Sequence, residues 1–493
     1  MPAIQYAWCG NLHDAEVCVM CNDKLLLNNF LKLQMYGIVY LLTTFFLLVA
    51  SVPSDLEVSV TRDVDISSQI VKNALVYTIK NNGKETLTQF VQIIPKAEND
   101  HLAYISAKFD QSTKFKVSQK KIDDVPSDFV AYNIDLSKGI PAGGSAKLTV
   151  EYKVTQYLTP YPEEIRQLEN QFMLYKGSSY TPSYYNLVKD STTYKIPSGK
   201  VHSYTTVSPS KQSTGKITYG PYNNIKAFDW KDITIHYENN SPFVVVTHLT
   251  RWIEVSHWGN IAVEDSLEVV HRGAKLVGGF SRVDYAQDRR RSSHPSVASW
   301  TTQLPKGARD IYYRDEVGNI STSEVLHRAR SVDVEITPRF PLFGGWKTDY
   351  ILGYNLPSSV GLFYKGNDYT LKLPVVDKVF SNFVIEKVTV KVVLPERSSN
   401  IKLVTPFSVT KLPADIHFTF LDTVGRPVTV FEVTNVVDNH VQNFSLSYKY
   451  SITFLFMDVG IAIGAFATLF AVVIFITRLD FSIVKTDTSK KNL

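Results

Sequence analysis

Cysteine is nearly missing from this chain. Of 493 residues only three are cysteine, and all of them (Cys9, Cys18 and Cys21) fall within the first 34. Residues 52–458 contain none. Disulfides therefore cannot staple this long middle region, and it must be held by large apolar cores or by partners. The motifs of catalysis are missing too: there is no G-x-S-x-G elbow, H-E-x-x-H helix, phosphate-binding P-loop or G-x-G-x-x-G fingerprint. The histidines of the middle region have no metal-ligand spacing, and His236 and His248 lie in strand-like runs that suit satisfied core or surface histidines. A strong charge of one sign is also lacking, since the formal net charge of +5 is small for this length and argues against nucleic acid as a partner. From these absences we expect no catalytic residue, no metal and no cofactor in the chain.

What is present is strand. The composition is 44% hydrophobic and 12% aromatic, enough for sizeable cores. Period-two alternation recurs in Leu56–Val60, Ala74–Ile79, Lys147–Val154, Ile233–Tyr237 and Val388–Leu394. Turn signals punctuate these runs, among them Asn81-Asn82-Gly83, Pro141-Ala142-Gly143-Gly144 and Gly425-Arg426-Pro427. Helical patterns are rare. Pro162–Phe172 has proline and acids in a would-be first turn, and Ser323 is placed to cap a second helix within Ser321–Arg330. The expected fold is mainly β: two packed, antiparallel, sandwich-like domains with few helices and one C-terminal transmembrane helix. A faint duplication points the same way. Leu56-Glu-Val-Ser59 recurs as Ile253-Glu-Val-Ser256, and Ile94-Pro-Lys-Ala97 with Asp100 recurs as Leu304-Pro-Lys-Gly307 with Asp310. This suggests domains over 52–250 and 251–457.

Two long apolar runs set the topology. Val459–Thr477 is uncharged for 19 residues between Asp458 and Arg478, enough helix to cross a hydrocarbon core of roughly 30 Å. The basic residues that follow place residues 478–493 in the cytosol, by the positive-inside rule, and the middle region across the membrane. Lys490-Lys491-Asn492-Leu493 has the form of a dilysine tail that returns type I membrane proteins to the endoplasmic reticulum; otherwise these are two solvated lysines. Residues 35–51 read as a signal peptide, with an uncleaved first helix as the alternative. Residues 1–34 precede the second methionine, Met35, and read as an alternative start, although Cys9, His13, Cys18 and Cys21 have the ligand types of a zinc site. Three N-x-S/T sequons, at Asn239, Asn319 and Asn443, are possible surface glycan sites.

Three further clusters admit a functional reading beside a plain one. Asp63-Val64-Asp65 puts two carboxylates on one strand face, where they could share a cation as in many glycosyltransferases; next to Arg62, they also fit an exposed strand. Arg289-Arg290-Arg291 is a solvated loop or a docking contact for acidic groups. The aromatics of Tyr175–Tyr185 and Trp252–Trp258 line a groove or pack between strands.

The most particular residues lie towards the C-terminus. Pro338-Arg-Phe-Pro-Leu-Phe-Gly-Gly-Trp-Lys-Thr348, Tyr354-Asn-Leu-Pro357, Leu421-Asp-Thr-Val-Gly-Arg-Pro427 and Arg478-Leu-Asp-Phe-Ser-Ile483 resemble ribophorin I, a subunit family of the endoplasmic reticulum oligosaccharyltransferase. The likeness runs from about Leu56 to Lys485. It implies a non-catalytic lumenal scaffold in protein N-glycosylation, beside a separate multi-spanning catalytic subunit. That subunit moves oligosaccharide from dolichol pyrophosphate to asparagine in N-x-S/T of nascent chains near the translocon. Animal members carry a long cytosolic domain associated with ribosome docking, whereas the short tail here is closer to the fungal form, which puts ribosome contact in doubt. Two other classes remain open on the residues alone. One is a type I adhesion or receptor ectodomain, and the other is a tethered glycosyltransferase using Asp63 and Asp65.

Overall fold

The computed structural model describes residues 55–109, 113–197, 200–288, 294–321, 323–420, 422–479 and 481. The expected signal peptide, the residues before it and the dilysine tail lie outside these residues.

The chain runs through β1 (Leu56–Asp65), β2 (Val71–Asn81), β3 (Leu87–Pro95), a single helical turn α1 (Lys96–Asn99), β4 (Leu102–Phe109) and β5 (Thr113–Gln119). Next come β6 (Phe129–Ile140), β7 (Ser145–Val154), β8 (Thr159–Pro160), β9 (Glu164–Ile165) and β10 (Phe172–Ser178). Then follow β11 (Leu187–Lys195), β12 (Val201–Tyr204), β13 (Ser210–Ser213), β14 (Lys216–Ile225) and β15 (Asp232–Glu238). A second series opens with β16 (Val244–Ser256), β17 (Asn260–His271), β18 (Lys275–Leu276), α2 (Arg282–Gln287), β19 (Trp300–Pro305) and β20 (Arg309–Asp315). It continues with β21 (Glu324–His327), β22 (Ser331–Ile336), β23 (Lys347–Pro357), α3 (Ser358–Gly361), β24 (Leu362–Lys365) and β25 (Asp368–Pro374). The last elements are β26 (Val384–Val393), β27 (Ser399–Val404), β28 (Thr410–Lys411), β29 (Asp415–His417), β30 (Arg426–Val436), β31 (Asn443–Lys449) and the apolar helix α4 (Met457–Arg478).

The two series have the same topology. In the larger sheets β14-β11-β1-β2-β7-β4 matches β30-β26-β16-β17-β23-β20, and in the smaller ones β12-β15-β10-β8 matches β27-β31-β25-β24. In each, the first strand runs parallel to a late one (β1 with β11, β16 with β26) and antiparallel to the next. These parallel pairs are an exception to the antiparallel pattern expected. Pro95 and Pro305 close matching strands, β3 and β19, as the sequence repeat suggested. Leu56–Ser59 and Ile253–Ser256 are not equivalent, because one opens β1 and the other closes β16. The better match is Thr61-Arg62 with Thr250-Arg251, since each repeat buries an arginine on its first strand. The join expected at 250/251 falls inside β16.

Alternation explains why these strands form. Along β1 the residues Val58, Val60, Arg62 and Val64 point inward, while Glu57, Ser59, Thr61, Asp63 and Asp65 lie on the other, more accessible face. Arg62 is thus a core residue and not the exposed neighbour of Asp63 that local sequence suggested. The second core joins Leu249 and Ile253 of β16 to Leu352 and Leu356 of β23, Val388 and Val390 of β26 and Leu371 and Leu373 of β25. Burial on this scale, at roughly 25 cal/mol per Å², takes the place of disulfides.

Both expected helices are strand or loop instead. In Pro162–Phe172, Ile165 is buried and β9 pairs in parallel with β18 of the other repeat, with Lys275 N–H donating to Glu163 O at 2.7 Å and Val277 N–H to Ile165 O at 2.9 Å. Within 321–330, β21 pairs with β22. A non-local ladder overrides local propensity in each case.

The buried arginines link layers. Arg251 forms a fork with Asp265 of β17 at 2.8 Å on both oxygens, donates to Pro374 O at 3.0 Å and reaches Asp377 beyond β25, which also accepts from Tyr354 of β23 at 2.7 Å. Arg62 is the counterpart. It donates to Asn73 at 3.0 Å and lies 3.6 Å from Glu98 of α1, which accepts from Tyr152 of β7 at 2.9 Å. Tyr152 and Tyr354 stand on matching strands.

The repeats join through the β9–β18 pair and a small cluster of Ile70, Val245, Val384 and Val437. At this seam His271 is buried. Its Nδ1 accepts from Gly273 N–H at 3.2 Å, so its Nε2 donates to Pro295 O at 2.7 Å, and burial holds its pKa down to about 4.

Two outcomes follow. Arg251→Met leaves Asp265 and Asp377 buried without their cation and should destabilise the chain by about 3–5 kcal/mol, seen as a fall in the denaturant midpoint; an unmoved midpoint refutes the clamp. His271 protonates more readily unfolded, near 6.5, than folded, near 4. Stability is therefore full above pH 6.5 and lost as pH falls towards 4. His257 and His440 are shifted the same way, so His271→Gln should flatten the thermal-midpoint profile over this window in part. An unchanged slope overturns the assignment.

Candidate functional site

The residues marked in the sequence do not converge on one centre. Asp63 and Asp65 share the outer face of β1, but Asp63 lies 3.6 Å from Lys195 and Asp65 accepts from Ser67 N–H at 2.9 Å. Among the described residues no group of three or more His, Cys, Asp or Glu is placed to hold a metal ion. His236 faces Tyr161 O at 2.8 Å beside the ring of His202. Tyr175, Tyr184 and Tyr185 are core residues; Trp252 stacks edge-on against His417 while Trp258 is exposed. Arg289–Arg291 lie outside the described residues.

The sequons differ sharply in setting. Asn239 is fully buried after β15: its Oδ1 accepts from Ser241 N–H at 3.0 Å and its Nδ2 points to Ile66 O at 3.5 Å. Asn239 is thus enclosed by Ile66, Gln171 and Ser241 and does not stand at the surface in this fold. Asn319, in the turn after β20, and Asn443, at the start of β31, are exposed.

The run Pro338–Thr348 forms a corner at the seam. A Cβ on Gly344 would lie 1.8 Å from Ala274 O, so only glycine lets the backbones meet. Leu276 N–H donates to Gly344 O at 3.1 Å and His271 N–H to Trp346 O at 2.9 Å. Phe343 and Trp346 pack at 5.3 Å with Phe280 against both rings. Arg339 pairs with Asp315 in the turn after β20, and with the N–H groups of Val317 and Gly318 it lowers that carboxyl to about 2. The signature therefore sets the seam on one side and a turn beside β21 on the other.

That turn leads to the surface of most functional interest. In the first repeat β5 pairs on both sides, with β4 and with β6. Its counterpart β21 pairs only with β22 among the described residues. After β20 the chain folds back for a single bridge, Arg314 with Asn319, and Ile320 N–H donates to Tyr313 O at 3.0 Å; it then departs. This leaves an open strand edge, Glu324-Val325-Leu326-His327, with Val325 40% and Leu326 43% exposed. The edge is short, four residues, and carries Glu324, but it has no lysine, proline or bulge to block pairing. Local sequence could not reveal it, because an edge is defined by the strand that fails to arrive.

The described residues thus form two series of strands with the same sheet topology, followed by one helix long and apolar enough to cross a membrane, none of it buried by the rest of the chain. Residues 57–477 match the family model of ribophorin I. The chain belongs to the ribophorin I family. It is 46% identical over 427 residues to dolichyl-diphosphooligosaccharide–protein glycosyltransferase subunit 1 of Caenorhabditis elegans, covering 86% of this chain and 72% of that one. Subunits 1A and 1B of the same enzyme from Arabidopsis thaliana are 36% and 34% identical, over 91% and 87% of this chain and 74% and 94% of theirs. A solved M1 zinc metallopeptidase from Deinococcus radiodurans shares 12% identity over 42% of each chain at a TM-score of 0.25, too slight to bear on fold or function.

Proposed function

We propose that this chain is a non-catalytic accessory subunit of an oligosaccharyltransferase in the endoplasmic reticulum membrane. The complex would transfer oligosaccharide from a dolichol-pyrophosphate carrier to asparagine in N-x-S/T of nascent chains. The family match over residues 57–477 carries this reading. Its partners are the other subunits, including a multi-spanning one that performs the transfer, and nascent polypeptide near the translocon. Asp458 and Arg478 stand in the first and last turns of α4, and the charge balance puts the two repeats in the lumen in a single-pass type I arrangement. Lys490 and Lys491 serve as the retrieval signal.

The chain's part in the reaction is presentation. An acceptor asparagine must be extended and near the transferase before its segment folds, and holding it there raises its effective concentration. Extended peptide adds to an open strand edge through main-chain hydrogen bonds, which suits acceptors of varied sequence. The β21 edge is the surface we assign to this, with Val325 and Leu326 offering apolar contact on its two faces. Asn319 and Asn443 are the sequons we expect to carry glycans.

Gentle-detergent purification of the tagged full-length chain tests both layers. A multi-spanning partner and transfer to an N-x-S/T peptide should co-purify, and their absence sinks the subunit reading. Val325→Lys with Leu326→Lys should leave co-purification intact but slow glycosylation of extended polypeptide acceptors several-fold; unchanged rates on every acceptor refute the edge alone. Asn319→Gln and Asn443→Gln should each remove one glycan-sized step of gel mobility, and Asn239→Gln none. A mobility step lost at Asn239 would contradict its buried place.

A further inference from the structure

One hairpin holds apolar side chains outward by design of its hydrogen bonds. β29 and the start of β30 pair, His417 opposite Arg426, and the chain between them forms a tip. Glu396, from outside the hairpin, grips that tip: one carboxylate oxygen accepts from Thr423 N–H at 2.7 Å, Thr423 Oγ1 at 3.0 Å, Gly425 N–H at 3.1 Å and Val424 N–H. Asp422 accepts from Thr419 N–H at 2.7 Å and pairs with Arg426, which also reaches Glu254 at 2.6 Å. Gly425 has φ +83°, and a Cβ on it would lie 2.4 Å from Ile416 and 2.9 Å from Phe418. The N–H groups of Thr419, Thr423, Val424 and Gly425 are thus satisfied within the protein, as backbone donors must be wherever water is scarce. The side chains are not covered. Phe418 is 62% exposed, Phe420 is fully exposed, and Ile416 and Val424 are more than half exposed.

The hairpin stands at the foot of the membrane helix. Glu396, Asp422 and Arg426 line one cleft together with Phe454, Leu455 and Asp458, the residues leading into and opening α4, and with Trp258. Trp258 is 63% exposed, Ile452 and Phe456 are exposed just before α4, and the Arg397 guanidinium lies 5.6 Å from the centre of the Phe454 ring. Four aromatics on three separate segments (Trp258, Phe418, Phe420 and Phe456) therefore surround the point where the chain meets the bilayer. Aromatic rings concentrate at this level of a membrane, where one side of the ring is apolar and the other is wet.

We propose that the exposed side chains Phe418, Phe420 and Val424 of this tip insert into the interfacial region of the bilayer beside α4, a second lipid attachment on the same leaflet. The occupant is phospholipid. It is indicated by the closeness of the hairpin to α4, whose first turn shares a cleft with Glu396, Asp422 and Arg426 of the tip's clasp, and by the exposed rings of Phe418, Phe420 and Phe456 together with those of Phe466, Phe470 and Phe475 on α4. A single helix leaves the domain before it free to tilt and swivel; a second contact a few residues across removes that freedom and holds the repeats, with the β21 edge, at a set height over the membrane. The inference rests on α4 spanning the bilayer.

The test uses the full-length chain in microsomes with the photoreactive residue benzoylphenylalanine at position 420, at 424 or at 466 within α4. Adducts to labelled phospholipid, released by phospholipase, are expected at all three, with the 424 adduct reduced at least several-fold by Phe418→Glu and Phe420→Glu together. Lipid adducts at 466 with none at 420 and 424 overturn the proposal while leaving the spanning helix intact. A discrete protein adduct at 420 in place of lipid also overturns it and makes the tip a subunit contact. No lipid adduct at 466 removes the spanning helix and the proposal with it.

Discussion

Each repeat depends on a charge that its own interior must neutralise. The arginine on the first strand, Arg62 or Arg251, sits where sheet layers meet, and its guanidinium is out of reach of water. A buried cation is tolerable only with carboxylates and acceptors in the right geometry. That requirement ties β16 to β17, to the segment after β25 and, through Tyr354, to β23. Apolar contacts would tolerate a slipped register; a forked Arg251–Asp265 pair does not. With no cysteine in residues 52–458, these polar clamps and the broad valine- and isoleucine-rich cores do the fixing that disulfides do in smaller lumenal domains.

The seam between the repeats is where the Pro338–Thr348 run lies. Gly344 is there because Ala274 O occupies the space a side chain would need, while Trp346 accepts from His271 N–H of β17 and packs its ring against Phe280, Phe340 and Phe343. Arg339 reaches from the same run to Asp315. One short stretch therefore sets how the second repeat meets β9 of the first and how the chain leaves β20. An odd composition in a sequence here marks a geometric constraint, not a reactive group.

The two repeats share a topology but differ at their edges. The first repeat closes its sheet through β4 and β5 into one ten-stranded array, whereas the second leaves β21 outside. The second repeat also carries the aromatic hairpin and passes directly into α4.

Much of this was legible in the sequence, and for a local reason. Strand alternation, the apolar helix between Asp458 and Arg478, and the Pro338–Thr348 run are properties of consecutive residues. Reading them one segment at a time yields a mainly β chain with a membrane anchor and a family. The duplication was only half visible: Pro95 and Pro305 marked matching strands, but Leu56–Ser59 was matched to the wrong end of β16. What tertiary structure alone decided are facts about partners distant in sequence. β9 became strand because β18 arrives beside it. Arg62 went inward because β1 is covered on that face, and Asn239 is buried because Ile66 and Gln171, distant in sequence, close around it. The β21 edge is open because β20 turns away. Period and hydropathy report which face of a segment avoids water; which strand lies alongside is settled by the summed packing and hydrogen bonding of residues far apart along the chain.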